Sequence, residues 1–154
     1  MKKRVLSLIL LTLIFFLCDY ISKFLAISSA AVFYRNEGFA LSFLKGQRLL
    51  LVLEVIVYLG VSVFFVVSTA RGDFVGSVIL AKSLYLGGAL GNLFDRLRFG
   101  SVIDFLDWKS IFPWWPASWV RYFNLADIFI VLGLLFLIME YFRLRFCPIS
   151  TEET

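Results

Sequence analysis

Residues 87–108 read GGALGNLFDRLRFGSVIDFLDW, and this stretch decides how the rest of the chain is arranged. It begins as an apolar helical segment of small residues and ends in polar and charged residues, namely Asn92, Asp95, Arg96, Asp104 and Asp107. A shorter copy of the pattern follows at 123–127, FNLAD, where Asn124 and Asp127 open an apolar run. In lipid, a carboxylate costs roughly 3 kcal/mol or more unless it is paired or hydrated, so these residues are candidates for function.

The composition indicates an integral membrane protein. Of 154 residues, 61% are hydrophobic and 18% aromatic, and the mean hydropathy is +0.92, which leaves too little polar surface for a soluble globule. The net charge of +4 comes from basic residues at helix ends rather than from one basic patch, so we do not expect nucleic acid as a partner. The sequence has no His, which removes most zinc, haem and His-base chemistry, and we expect neither metal nor cofactor.

Four apolar runs predict an all-α protein with four transmembrane helices. The first resembles a secretory signal peptide, but bulky Phe16 and Leu17 before Cys18 do not fit a lipoprotein-type cleavage site. The apolar character also resumes after Lys23, so we predict a retained helix over about 5–27. The other predicted helices cover approximately 49–70, 74–97 and 123–142. We see no repeat or linker and expect 1–154 to form a single membrane domain.

Four spans place both termini on one side of the membrane. Short segments on that side carry basic residues, namely Lys2, Lys3, Arg4, Arg71, Arg143 and Arg145. The positive-inside rule makes this side cytoplasmic. The longer segments 28–48 and 98–122 then face outward, the first as short strands or a loop and the second with a belt of Trp residues typical of a membrane interface.

Asp104 and Asp127 form the most interesting candidate pair, because they lie beside the outer ends of the third and fourth predicted helices. If 98–122 folds back on the bundle, the two carboxyl groups meet and share a proton. One then acts as base on a water molecule while the other polarises a carbonyl group, as in aspartic proteases. By itself, the pair is a weak pattern.

Asp19 and Lys23 are four residues apart and share one face of the first helix. A purely structural interpretation is an ion pair at the membrane edge, with Lys23 snorkelling to the interface. In the third helix, Gly88, Asn92 and Arg96 share one face. Helix packing alone accounts for the glycines but not for the polar residues.

Glu54 and Lys82 also lie inside predicted spans, and no motif explains either residue. Lys82 is close to the cytoplasmic end of its helix, so we expect it to snorkel. Cys18 and Cys147 are predicted near opposite membrane faces, so a disulfide between them is not expected.

The chain resembles the lipoprotein signal peptidases, the type II signal peptidases of bacterial membranes, over nearly its whole length. Four elements carry the resemblance in order: D-x-x-x-K at Asp19–Lys23, N-x-G-x-A-F-S at 36–42 with Leu41 for Phe, the long motif at 87–105, and F-N-x-A-D at 123–127. The long motif reads G-G-A-x-G-N-x-x-D-R followed by G-x-V-x-D-F. Together these motifs are highly specific.

The resemblance implies an aspartyl endopeptidase with four transmembrane helices, a small β-structured cradle and a short helical flap on the outer face. It implies that Asp104 and Asp127 are the catalytic residues, and that Asp95 is structural, paired with Arg96 or a neighbouring backbone group. The residues implied to shape the site or contact substrate are Asn36, Gly38, Asn92, Arg96 and Asn124. Asp19 and Lys23 are implied to brace the first helix beside the site.

The resemblance further implies the substrate and the location. The substrate is a prolipoprotein already diacylglycerylated on a Cys and cleaved just before that Cys. The expected location is the bacterial cytoplasmic membrane, with the active site at the outer face and contact with membrane lipid. Globomycin-like cyclic peptides are expected to inhibit.

Two other functions compete with this interpretation. A Ser-Lys protease would use Ser22 with Lys23 or Ser83 with Lys82, but neighbouring residues on a helix point about 100° apart. A small transporter or channel subunit would carry ionisable groups at mid-depth in several helices, whereas here they gather near one face.

Overall fold

The computed structural model describes residues 2–29, 33–36, 38–39, 44–45, 48–71, 76–114, 116 and 122–146. The helices are α1 Lys2–Ser28, α2 Arg48–Arg71, α3 Gly76–Phe99, the short α4 Trp108–Ile111, and α5 Leu125–Phe146. The predicted spans agree with α1, α2, α3 and α5 to within a few residues at each end. Of the predicted features, Leu41, Cys147 and part of the Trp-containing segment 98–122 lie outside the described residues.

The four long helices are long and apolar enough to cross a membrane. At about 1.5 Å per residue, even the shortest exceeds the ~30 Å thickness of a hydrocarbon core. The helix α3 differs from the others, because 67% of its most apolar window is buried, against 11% in α1, α2 and α5. It is therefore the central helix, and the other three present apolar side chains to lipid. The predicted fold of four membrane-spanning helices is confirmed.

The helices α1 and α3 run parallel, because Ser83 bonds Leu8 near one end and Asn92 bonds Lys23 near the other. The helix α2 runs antiparallel to α3, because Lys82 bonds Ser68 and Arg96 bonds Glu54. The helix α5 also runs antiparallel to α3, because Asn92 bonds Asp127 and Gly133 lies against Tyr85. The chain therefore passes up, down, up and down through the bundle, and α1 begins at the end where α5 finishes. The orientation of this bundle in the membrane stays a prediction.

Glycines on α3 allow its neighbours to approach closely. A Cβ atom at Gly88 would overlap the backbone carbonyl oxygen of Ala126, and one at Gly91 would overlap the carboxylate of Asp19. The absence of side chains at these two positions brings the polar ends of α1 and α5 against the polar end of α3. This is the small-residue packing that the sequence predicted.

In the described part of the chain, three two-stranded antiparallel sheets lie at the end of the bundle where α1 ends. The strand β1 Tyr34–Asn36 pairs with β4 Val102–Asp104, β2 Gly38–Phe39 with β3 Leu44–Lys45, and β5 Leu106–Asp107 with β6 Tyr122–Phe123. The first pair places Tyr34 opposite Asp104. This strand pair therefore connects the segment after α1 to the segment after α3, and it places β4 at the end of the bundle.

A short helix follows directly. Asp107 caps α4, because its side chain accepts a hydrogen bond from the backbone N–H of Lys109. The side chain of Trp108 stacks on Phe123, with ring centroids 4.3 Å apart. The predicted β-structured cradle and short helix are thus both present among the described residues.

Candidate active site

Asp104 lies at the end of β4 with 2% of its surface exposed. Its two carboxylate oxygens accept hydrogen bonds from two amide side chains. Asn36 Nδ2 donates to Oδ2 at 3.0 Å, and Asn124 Nδ2 donates to Oδ1 at 2.7 Å. The pairing of β1 with β4 supplies the first contact, and the entry to α5 supplies the second.

Asp127 occupies the first turn of α5, where it completes a capping box with Asn124. Asn124 Oδ1 accepts from the backbone N–H of Asp127 at 3.0 Å, and Asp127 Oδ2 accepts from the backbone N–H of Asn124 at 3.1 Å. Asn92 Nδ2 donates to Asp127 Oδ1 at 2.8 Å. The first turn of a helix stabilises negative charge, so the local fold suits a carboxylate here.

Asn124 contacts both carboxylates, since its side chain donates to Asp104 and its backbone N–H donates to Asp127. Burial first, and the nearby charge of Asp127 second, raise the pKa of Asp104 from 3.8 to about 6. The amide donors of Asn36 and Asn124 and the Lys23 ammonium act in the opposite direction. The arrangement therefore favours one neutral and one charged carboxyl group, which is the state that acid–base hydrolysis needs.

Lys23 lies beneath this pair with only 3% of its surface exposed. Its ammonium is 2.8 Å from Asp19 Oδ2, 2.9 Å from Asp95 Oδ2 and 3.1 Å from Asn92 Oδ1. The predicted ion pair with Asp19 is present, but the expectation that Lys23 snorkels to the interface is wrong. Two carboxylates and one amide oxygen surround the ammonium inside the bundle, so the side chain turns inward.

The two partners of Lys23 fasten separate elements together. Asp19 Oδ1 accepts from the backbone N–H of Ala126 at 2.8 Å, which ties α1 to the first turn of α5. Asp95 Oδ2 accepts from the backbone N–H of Ile103 at 3.2 Å, which ties α3 to β4. Through Asp19 and Asp95, the ammonium of Lys23 therefore positions both α5, which carries Asp127, and β4, which carries Asp104.

Asp95 was expected to pair with Arg96 or with a neighbouring backbone group. The second of these alternatives is present, as the contact with the backbone N–H of Ile103. Arg96 instead bonds Glu54 of α2 at 2.9 Å, with each side chain 16% exposed. This contact gives Glu54 the role that the sequence left open. Gly38 lies on β2 opposite Lys45.

Lys82 corrects a second expectation. It is 2% exposed and donates to Ser68 Oγ at 2.8 Å and to Thr69 Oγ1 at 3.1 Å, so it does not snorkel. Its ammonium lies 5.5 Å from the centre of the Phe65 ring. The hydroxyl pair at the end of α2 was missed because it lies 13 and 14 residues before Lys82.

The two Ser-Lys arrangements are contradicted by the geometry. Ser22 donates to the backbone carbonyl of Asp19 at 2.7 Å, and Ser83 donates to that of Ile79 at 2.8 Å. Each hydroxyl proton is therefore directed to the backbone rather than to the neighbouring lysine. Of the buried charged residues that the structure describes, all except Lys82 gather at one end of the bundle, which does not match a transport pathway lined by charges at mid-depth.

Known proteins share both the sequence and the fold. Residues 11–143 match the family model described as signal peptidase (SPase) II. The lipoprotein signal peptidase of Halothermothrix orenii is 39% identical over 107 residues, which are 70% of this chain and 66% of that protein. That of Staphylococcus carnosus is 38% identical over 77% of this chain and 68% of its own length. That of Pasteurella multocida is 30% identical over 99% and 98%.

Two solved structures, described as bacterial membrane enzymes determined by the in meso method at 2.3 and 1.9 Å resolution, share the fold. The first has a TM-score of 0.76 at 22% identity and covers 96% of this chain and 94% of that chain. The second has a TM-score of 0.68 at 23% identity, with 88% and 92% covered. The alignment spans just under two thirds of the Halothermothrix orenii protein. With four helices able to span a bilayer and a family match over most of its length, the chain is a multi-pass membrane protein that belongs to the signal peptidase II family of peptidases.

Proposed function

We propose that the chain is an aspartic endopeptidase that removes the signal peptide from diacylglyceryl-modified prolipoproteins and cleaves just before the lipidated Cys. The observation that carries this proposal is that Asn124 contacts the carboxylates of both Asp104 and Asp127, the first through its side chain and the second through its backbone N–H. Membership of the signal peptidase II family and the lipoprotein signal peptidases among its relatives support the substrate class.

The chemistry follows from two carboxyl groups that share one proton. The charged carboxylate takes a proton from a water molecule as the water oxygen forms a bond to the scissile carbonyl carbon. The neutral carboxyl group donates its proton to the carbonyl oxygen. As this intermediate collapses, the C–N bond breaks and the leaving amine receives a proton from the group that first accepted one. One hydroxyl group of the intermediate returns its proton to the other carboxylate as the carbonyl re-forms, which restores the pair.

The location of the pair suits a lipid-anchored substrate. We place the site at the outer face of the bacterial cytoplasmic membrane, where a diacylglyceryl group would fix the cleavage point near the interface. Such an anchor removes much of the positional search and supplies the orientation that peptide hydrolysis needs. The β1–β4 pair and the aromatic residues at 108–114 lie beside the site, and they are suited to grip and cover an extended peptide.

The experiment that tests the function compares two forms of one prolipoprotein, with and without the diacylglyceryl group, on purified protein in lipid vesicles. We expect mass spectrometry to show a product that begins at the lipidated Cys, together with the intact released signal peptide. The unmodified precursor serves as the matched control and is expected to be cleaved at least about tenfold more slowly. Cleavage at another bond, or equal rates for both precursors, would contradict the proposal. A globomycin-like cyclic peptide is expected to inhibit.

A further inference from the structure

We propose that Lys23 is a positioning residue that gives the two carboxyl groups different roles. By fixing the amide of Asn92, it maintains Asp127 as the charged base and leaves Asp104 as the group that holds the proton. This inference rests on the proposed function, because it divides the two roles of that reaction between two named residues.

The orientation of the Asn92 side chain is the first step. An amide oxygen and nitrogen have similar shapes, and the surrounding hydrogen bonds decide which atom faces which partner. An ammonium can only donate, so the atom of Asn92 that lies 3.1 Å from Lys23 Nζ must be the oxygen. The nitrogen of Asn92 is then directed to Asp127 Oδ1 at 2.8 Å.

The orientation of Asn124 is fixed by a second donor that cannot reverse. The backbone N–H of Asp127 donates to the oxygen of Asn124 at 3.0 Å. The amide nitrogen of Asn124 therefore donates to Asp104 at 2.7 Å and to the oxygen of Asn92 at 3.1 Å. Asn92 and Asn124 consequently have one orientation each, and the oxygen of Asn92 is held by two donors, the ammonium of Lys23 and the amide nitrogen of Asn124.

Asp127 is then the carboxyl group best placed to carry the negative charge. Its Oδ1 accepts from Asn92 Nδ2, and its Oδ2 accepts from the backbone N–H of Asn124. Each carboxyl group of the pair accepts a hydrogen bond on both oxygens, so the difference lies in position: Asp127 is in the N-terminal turn of α5, which favours its charged form. Lys23 acts on Asp127 through Asn92 and through the charge of its own ammonium.

Asp104 has the environment of the proton holder. It is 2% exposed on β4, so its charged form is poorly solvated. Among the residues that the structure describes, the charged groups that face the pair are Asp19 and Lys23 on α1, Asp95 on α3, and the two carboxyl groups themselves; Arg96 of α3 pairs with Glu54 of α2. Two carboxylates against one ammonium leave a negative charge uncompensated in the buried cluster. A second charge beside Asp127 is therefore disfavoured, and Asp104 retains the proton.

The test compares two amide variants, each of which removes a donor from one carboxyl group. In a bell-shaped profile of kcat/KM against pH, the acid limb reports ionisation of the base and the alkaline limb reports loss of the shared proton. Asn92→Ala should move the acid limb to higher pH by roughly one pH unit, because the charged form of Asp127 loses a donor. Asn36→Ala should instead move the alkaline limb upward. Asp107→Asn, which keeps a good helix cap on α4, is the control and should change neither limb.

The opposite pattern, with Asn92→Ala moving the alkaline limb and Asn36→Ala the acid limb, would overturn the assignment. Equal movement of both limbs by both variants would also overturn it. Cleavage of the lipidated precursor by the wild-type protein is measured in the same series. Failure of the proposed function would appear there as absent cleavage, whereas failure of the role assignment would appear only in the shifts.

Lys23 itself is tested by a double-mutant cycle. Lys23→Gln replaces a pure donor by an amide that can turn either way, so the acid limb should move in the same direction as in Asn92→Ala. The Lys23→Gln/Asn92→Ala protein should then show no further shift, because both changes act through one contact. Lys23→Arg, which keeps a donor-only cation, should restore the acid limb toward its wild-type position. Additive shifts would show that Lys23 does not act through Asn92, and if Lys23→Gln fails to fold, the comparison of Asn92→Ala with Asn36→Ala still decides the roles.

Discussion

Asp104 is held by the fold in a place that suits its neutral form. Burial and the charge of Asp127 raise its pKa to about 6, while Asn36, Asn124 and Lys23 only partly oppose that change. The folded protein is therefore less stable when Asp104 is charged than when it is neutral. Such a cost is typical of residues that take part in proton transfer.

This environment predicts a pH-dependent stability. A carboxyl group whose pKa is higher in the folded than in the unfolded state binds more protons when folded, so stability falls as pH rises between the two values. The wild-type protein should lose stability between about pH 4 and pH 6, by at most about 3 kcal/mol. Asp104→Asn should remove this part of the pH dependence and be at least as stable as the wild type at pH 7.5. Thermal unfolding in detergent from pH 4 to 7.5 measures the pH dependence and the stability at pH 7.5, with Asp107→Asn as the control. If the stability of Asp104→Asn changed with pH in the same way as that of the wild type, the assigned pKa shift would be contradicted.

Individual candidate residues could be predicted from the motifs, but their partners were only partly predictable. The spacing of Asp19 and Lys23 on one helix predicted their ion pair. The pairing of Arg96 with Glu54 joins residues 42 positions apart on two helices, and nothing in the local pattern indicates it. Sequence neighbours suggested Asp95 with Arg96 because a charge pattern along the chain carries no information about which helix packs on which face.

At the scale of elements, α3 is the centre of the bundle because its small residues let α1 and α5 approach. Gly88 contacts the first turn of α5, which carries Asp127. Close packing at this point maintains the contact between Asn92 and Asp127.

Gly88→Ala should therefore push α5 away and disrupt the site. We expect a loss of stability of about 1–3 kcal/mol and a loss of cleavage activity, since the new Cβ overlaps a backbone oxygen rather than a movable side chain. Gly60→Ala on α2 is the matched control, because a Cβ there meets no atom within 4 Å and alanine is the better helix former. It should leave activity unchanged and stability equal or up to about 1 kcal/mol higher. Equal effects of the two substitutions would contradict the packing argument.

The long helices were predictable because each is an apolar run of sufficient length. The β-structured segment was predictable only as short strands or a loop. The strand pair β1–β4 has three residues on each side and joins Asn36 to Val102 across the whole of α2 and α3. Such short strands carry too little alternation to reveal a partner, so the contact of Asn36 with Asp104 could not be derived from spacing.

At the scale of the whole molecule, the polar end of the bundle holds both candidate carboxylates and all three short sheets. The basic residues at the opposite end predict that this polar end faces outward. Orientation decides whether a secreted precursor can reach the site. It is therefore a separate requirement of the proposed function.

Labelling from outside the cell tests that orientation. In a protein whose two native cysteines are replaced by Ala, Ser110→Cys places a thiol at an exposed position in α4. A membrane-impermeant thiol reagent should label it in intact cells, in which the outer membrane is permeabilised if one is present. Ser7→Cys, near the start of α1, is the control and should react only after the cytoplasmic membrane is opened. Labelling of Ser7→Cys but not Ser110→Cys in intact cells would reverse the predicted topology.

The central claim is that Asp104 and Asp127 together hydrolyse the peptide bond. The most direct measurement is the rate of cleavage of a diacylglyceryl-modified prolipoprotein by Asp104→Asn and Asp127→Asn, each purified separately and shown to be folded. We expect each rate to fall by about 10²-fold to 10⁴-fold, because each variant removes one of the two proton-transfer groups. Asp107→Asn, a third carboxylate at the same end of the bundle, should cleave at the wild-type rate. Near-wild-type cleavage by either folded variant of the pair would contradict the account.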